Sequence, residues 1–204
     1  MIERYLNPEI NSIWDDQNKF DTWKLVQEKY VETLEELGVA ENGIAKKINQ
    51  SVVQKNEVYK QEEITNHDLA SFVDILQKKV GEGSNWIHYG LTSSDIVDTA
   101  NSFLIIQSLD YLKDLVNDLL STLQEKAVQE KDTSIIGRTH GVYAEETFLG
   151  NIFGNWHLEV ARGLNRLENS KNNISCGKLS RPVGNHSVVT SEMEKLTLCL
   201  LYTS

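Results

Sequence analysis

The chain is predicted to be all-α, with a small N-terminal helical domain over residues 1–90 and, over residues 91–204, two long helices that begin an incomplete bundle. Three observations predict this. Neither glycine nor proline occurs between Leu91 and Ile136. Apolar residues in that stretch recur at steps of three and four, the period of one helix face. Strand-like alternation is nearly absent along the whole chain.

The elements follow in order. Trp23, Val26, Tyr30, Leu34 and Leu37 stand at helical spacing, and Gly38 supplies the stop. The stretch from Lys46 to Glu63 is polar enough for a loop or a solvated helix. A further helix is predicted from Asn66 to Val80, capped by Thr65 or Asn66 and ended by Gly81. Thr92, Ser93 and Ser94 suit a helix start, and Asp95, three residues after Thr92, resembles the partner in a capping box. From there Ile105, Leu109, Leu112, Val116, Leu119, Leu123 and Ala127 define one stripe. A helix from Ser94 to Lys131 would span about 55 Å, a length that calls for partner helices. Leu149, Ile152, Trp156, Val160, Leu164 and Leu167 predict the second long helix, from Ala144 to Asn172, and Met193 to Leu201 could start another. Trp14, Trp23 and Trp156 fall on apolar stripes and are expected in the core.

Composition excludes several functions. A net charge of −10 would repel a phosphate backbone, so nucleic acid is not an expected partner. Cys176 and Cys199 have neither metal spacing nor a disulfide framework, and are expected to be small, buried or half-buried side chains in a reducing compartment. The start, Met1-Ile2-Glu3-Arg4, lacks the apolar core of a signal peptide, and no segment reaches membrane-spanning length without charges. The expectation is a soluble, cytoplasmic protein without membrane contact.

Two clusters carry the chemistry. In Gly137-Arg138-Thr139-His140-Gly141 a histidine lies between glycines, which either makes a tight turn between helices or brings imidazole and backbone amides close to a small ligand. In His88-Tyr89-Gly90-Leu91-Thr92-Ser93-Ser94-Asp95 a histidine and hydroxyls precede a helix start, where free amides and the helix dipole attract carboxylates or phosphates. His157 reads as a packing or surface residue, and His186 is assigned no role.

These two clusters, with Met1-Ile2-Glu3-Arg4-Tyr5, Thr65-Asn66-His67-Asp68, Trp86-Ile87 and Val97-Asp98-Thr99-Ala100, occur in the order found in the fumarase/aspartase superfamily of lyases, and the chain resembles that superfamily. The Gly-Leu-Thr-Ser-Ser-Asp form points to its adenylosuccinate lyase branch. The resemblance implies β-elimination of fumarate from adenylosuccinate, and from the succinylated aminoimidazole carboxamide ribotide of purine synthesis. No metal or organic cofactor is implied, and the partners are a nucleotide substrate and other copies of the chain in a homotetramer. It also implies His140 as the general acid at the leaving nitrogen, with His67 as a second catalytic histidine that supports or orients it. His88 would lie near the substrate phosphate, Thr92 and Ser93 would bind a succinyl carboxylate, and Arg4 with Tyr5 would hold the phosphate. Thr139 would flank the acid and contact substrate.

The chain also departs from the family pattern. Arg181 and Pro182, within Gly177–Gly184, stand where the family has small residues. Tyr143 to Leu149 keeps Ala144-Glu145 but lacks a proline and paired threonines. Family members run to about twice the present 204 residues, and their remainder holds the mobile serine loop taken to supply the base. The expected protein is therefore the N-terminal half of such a lyase. The alternatives are a non-catalytic helical assembly module of the same ancestry and a sibling fumarate-releasing lyase.

Overall fold

The computed structural model describes residues 2–203. The chain is mainly helical, as expected, with one small two-stranded sheet. A 3-10 turn at Glu3–Tyr5 leads to α1 (Pro8–Ile13), α2 (Asp16–Glu36), α3 (Ile44–Gln50), α4 (Lys55–Thr65) and α5 (Asp68–Val80). A second 3-10 turn, Ser84–Trp86, precedes α6 (Ser93–Gln129). Strands β1 (Ser134–Thr139) and β2 (Val142–Phe148), then α7 (Leu149–Ile174) and α8 (Ser191–Thr203), complete the order. No helix among the described residues is long and apolar enough to cross a membrane.

Two compact units result, and their division falls within α6. One comprises the residues up to Gln107 together with those from Ile174 onward; the other is Ser108–Asn173. Residue 90, where the sequence suggested a domain boundary, lies inside the first unit.

The first unit is organised by α2. Asp15 caps it by accepting from the amide of Gln17 at 2.8 Å, and Phe20, Trp23, Val26, Tyr30, Val31 and Leu34 are buried along its length. Phe20, Trp23 and Phe72 of α5 form a ring cluster with centroids 5.2–6.0 Å apart in edge-on and stacked arrangements. Packing of this kind adds to the apolar burial that drives the fold. The polar stretch after residue 43 forms α3 and α4, whose Ile44, Ala45, Ile48 and Val58 reach the core while the remaining faces stay largely in solvent. Helix α8 packs against α2, where the buried Thr197 hydroxyl donates to Thr33 Oγ1 at 3.0 Å.

Several expectations are corrected. The cap of α5 is His67, not Thr65 or Asn66, because Asn66 turns left-handed (φ 53°) to end α4 and is not free to begin the next helix. Trp23 is buried, but Trp14 is 49% and Trp156 51% exposed. Helix α1 is six residues long with no buried side chain, so it cannot draw Trp14 inward. Both cysteines are exposed.

In the second unit, the residues predicted to start a helix at Ala144 are strand, and α7 begins only at Leu149. Gly150 lies at the junction of the two long helices. A Cβ there would stand 2.6 Å from the carbonyl oxygen of Ala127 and 2.8 Å from Cα of Lys131, so this approach of backbones requires glycine. Two ion pairs, Lys113–Glu168 at 2.8 Å and Lys171–Asp110 at 2.5 Å, tie the exposed edges of α6 and α7.

Candidate functional site

The first cluster is built where three segments meet at the N-terminus of α6. His67 caps α5, its Nδ1 accepting from the amide of Ala70 at 3.4 Å, and this turns Nε2 to within 3.4 Å of Ser93 Oγ. His67 and Ser93, 26 residues apart, are thereby brought together at a partly exposed surface. Thr92 occupies the cap position of α6 and donates its backbone N–H to Asp95 Oδ2 at 2.9 Å, one half of the predicted capping box. At such a helix start, unpaired amides and the dipole favour an anion.

His88 stands beside this surface in the left-handed region, with φ 63°. A non-glycine residue is strained there and needs partners to hold it. Gln27 of α2, fully buried, supplies two: its side-chain oxygen accepts the His88 backbone N–H at 2.9 Å, and its side-chain nitrogen lies 2.9 Å from His88 Nδ1. The neighbouring Tyr30 hydroxyl donates to the carbonyl of Tyr89 at 2.9 Å, and burial pushes that phenol up. Burial also pushes the His88 imidazole down to about 4; the Asp95 carboxylate pulls the other way, and His67 adds a further push down.

Asp95 ties a distant segment to this helix start. Its side chain is fully buried, and Oδ1 accepts from Lys178 Nζ at 2.8 Å and from the amide of Ser180 at 3.2 Å. The amide of Arg181 reaches both oxygens at 3.2 Å, and Lys178 Nζ also contacts Ser94 Oγ at 3.0 Å. Lys178, two backbone amides from its own segment and the Thr92 amide thus satisfy one carboxylate, as a buried charge requires. At the departure, Arg181 takes a left-handed backbone (φ 71°), a strained conformation for a non-glycine residue, and its N–H is held by Asp95.

The second cluster is a β-hairpin, not a turn between helices. Strands β1 and β2 pair antiparallel with Thr139 opposite Val142, leaving His140 and Gly141 as a two-residue loop. Both loop residues have positive φ, 53° and 78°, as a type I′ turn demands. Glycine enters that region without penalty; His140 is held in it at the exposed tip. The register shifts between Ile136 and Arg138, so Gly137 marks an irregularity in the ladder. Arg138 stacks its guanidinium 4.9 Å from the Tyr143 ring centroid. Thr139 and His140 belong to the second compact unit, while His67, His88, Thr92 and Ser93 belong to the first.

Arg4 and Tyr5 lie in the first 3-10 turn, exposed, with the Arg4 guanidinium 4.8 Å from the Tyr5 ring centroid. Among the described residues no group of three or more His, Cys, Asp or Glu side chains is arranged to hold a metal ion. Sequence reasoning missed Gln27 and Lys178. Gln27 carried a usable signal: it lies four residues after Trp23 and three before Tyr30, a polar side chain on an otherwise apolar stripe. Lys178 carried none, because its partner is 83 residues away.

The sequence matches the family described as Lyase over residues 9–198. It is 38% identical over 196 residues to a protein named adenylosuccinate lyase from Bacillus subtilis (strain 168), covering 96% of this chain and 46% of that one. It is 37% identical over 202 residues to another of the same name from Thermotoga maritima, covering 98% of this chain and 47% of that one. The chain thus spans about half the length of these curated relatives. In fold it is similar to a fumarate lyase from Mesorhizobium sp. BNC1 (TM-score 0.89, 19% identity, 97% of this chain and 48% of that one). It is also similar to β-carboxy-cis,cis-muconate cycloisomerase from Acinetobacter calcoaceticus sp. ADP1 (TM-score 0.82, 19% identity, 94% of this chain and 48% of that one). With the matched family spanning residues 9–198 and the fold shared, this chain belongs to the lyase family.

Proposed function

We propose that this chain is the N-terminal half of an adenylosuccinate lyase, contributing the acid side of a fumarate elimination whose base lies in the remainder of a full-length enzyme. The observation that carries the reading is the 38% identity to a protein of that name across 96% of this chain. The substrates would be adenylosuccinate and the succinylated aminoimidazole carboxamide ribotide of purine synthesis. His140 protonates the departing nitrogen, a role suited to an imidazole near neutral pH. His67 supports or orients it. Thr92 and Ser93 hold a succinyl carboxylate at the start of α6, where helix amides stabilise the negative charge that builds up during elimination. His88, Arg4 and Tyr5 take the phosphate, and Thr139 contacts substrate beside the acid.

The same reading has the protein working in the cytoplasm as a homotetramer, with each site assembled from several subunits, and it keeps the division near residue 90 as the boundary of the N-terminal domain. The proximity of His67 Nε2 to Ser93 Oγ supports a shared ligand surface at that end of α6.

The test is fumarate release from adenylosuccinate by this chain supplemented with the C-terminal half of a family member, with His140→Ala alongside. The expected result is release that falls at least a hundredfold in the variant, the scale of a lost general acid. Release that is indifferent to His140→Ala would remove the acid assignment. No release from a folded, supplemented chain would favour the assembly module, and release from argininosuccinate in place of adenylosuccinate would identify a sibling lyase.

A further inference from the structure

We propose that Gln27 is a positioning residue that holds His88 as a neutral imidazole with its proton on Nε2, so that His88 meets its ligand as a hydrogen-bond donor and not as a proton acceptor.

The backbone N–H of His88 can only donate, and it lies 2.9 Å from the Gln27 side-chain oxygen, which fixes which end of that amide is which. The Gln27 nitrogen is then a donor, and it lies 2.9 Å from His88 Nδ1. Nδ1 must supply a lone pair, so in the neutral ring the proton resides on Nε2. Gln27 is fully buried in α2, so the amide cannot turn over without leaving two buried polar atoms unpaired.

The same two bonds hold His88 in its left-handed backbone, so orientation and tautomer share one cause. Among the charged groups around the ring, Asp95 favours a proton on it while His67 opposes one. A neutral donor suits an anionic oxygen, which accepts a hydrogen bond without removing a proton from the ring. That the acceptor is the substrate phosphate rests on the lyase reading; the tautomer does not.

The test begins with the 204-residue chain labelled with nitrogen-15. Ring nitrogen shifts at neutral pH are expected to show His88 Nδ1 unprotonated and Nε2 protonated. In Gln27→Glu the carboxylate still accepts the backbone N–H but has nothing to donate to Nδ1, so the signature should change to a protonated Nδ1. A wild-type ring protonated on Nδ1, a fast average of both tautomers, or an unchanged signature in Gln27→Glu would each overturn the inference. The wild-type spectrum decides the tautomer even if a variant does not fold.

In enzyme supplemented with the missing half, Gln27→Leu is expected to raise KM for adenylosuccinate about tenfold or more with kcat within about twofold, the pattern of lost uniform binding. Fumarate release with an unchanged KM would overturn the positioning role while leaving the lyase reading intact. No release from the supplemented wild type would overturn the lyase reading, and with it the substrate named here, while the ring signature still decides the clamp.

Discussion

The unit formed by residues up to 107 with those from 174 onward and the unit of residues 108–173 share one amphipathic periodicity, but their apolar faces meet different things. In the first, Trp23, Val26, Tyr30, Leu34, Phe72, Leu76, Ile96 and Ala100 are at most 1% exposed. In the second, Leu123 is the one large apolar side chain that is buried among the described residues. Leu112, Leu115 and Leu119 of α6 are 40–46% exposed, and Trp156 and Leu158 of α7 exceed 50%. Periodicity therefore specifies a face and not what covers it. A fully buried leucine is worth about 1.5–3 kcal/mol, and the second unit realises only part of that on its own.

The sharpest way to break the contrast is at Asp95. Asp95→Ala should lower the stability of the first unit by about 3–5 kcal/mol, since it leaves Lys178 and three amides without their shared acceptor. Denaturant unfolding followed by circular dichroism measures it; a loss below about 1 kcal/mol would mean that solvent replaces the carboxylate.

A smaller effect is expected from pH. The folded pKa of His88 lies below its ordinary value, so the unfolded chain binds the proton more readily. Its contribution is fully present above about pH 6.5, declines as pH falls toward 4, and is on the order of 3 kcal/mol. Between pH 7 and pH 4.5 the unfolding midpoint of the wild type should fall further than that of His88→Gln; equal falls would remove this contribution.

The smallest effect belongs to the exposed stripe. Leu115→Ser with Leu119→Ser should change stability by no more than about 0.5 kcal/mol each. A loss of 2 kcal/mol would show that these side chains are packed after all.

What was legible in the sequence follows the same contrast. The stripe through Trp23 and Leu34 with its stop at Gly38, the long run from Ser94, and the stop at Gly81 all became helices within a few residues of expectation. The hairpin did not show. Both of its faces are largely exposed, so Ser134–Thr139 and Val142–Phe148 carry no polar and apolar alternation to read. Its turn uses His-Gly in place of the usual Asn-Gly, which hid a two-residue connection flanked by Ile135, Ile136, Val142 and Tyr143.

The site divides similarly. The histidines and hydroxyls were legible as motifs, and the Thr92–Asp95 pair as a cap. The second duty of Asp95, holding Lys178 and Arg181, depends on contacts across more than 80 residues that no local pattern encodes.

The packing of α8 on α2 sets an order in time. The chain leaves the first unit after Gln107 and returns only at Ile174, and the Thr197–Thr33 hydrogen bond joins residues 164 positions apart. During synthesis, at about 5–20 residues per second, the helices around Trp23 must wait roughly ten seconds or more for α8. For that interval the face of α2 that α8 will cover is open to water and to neighbouring nascent chains, an opening for misassembly that closes when α8 docks.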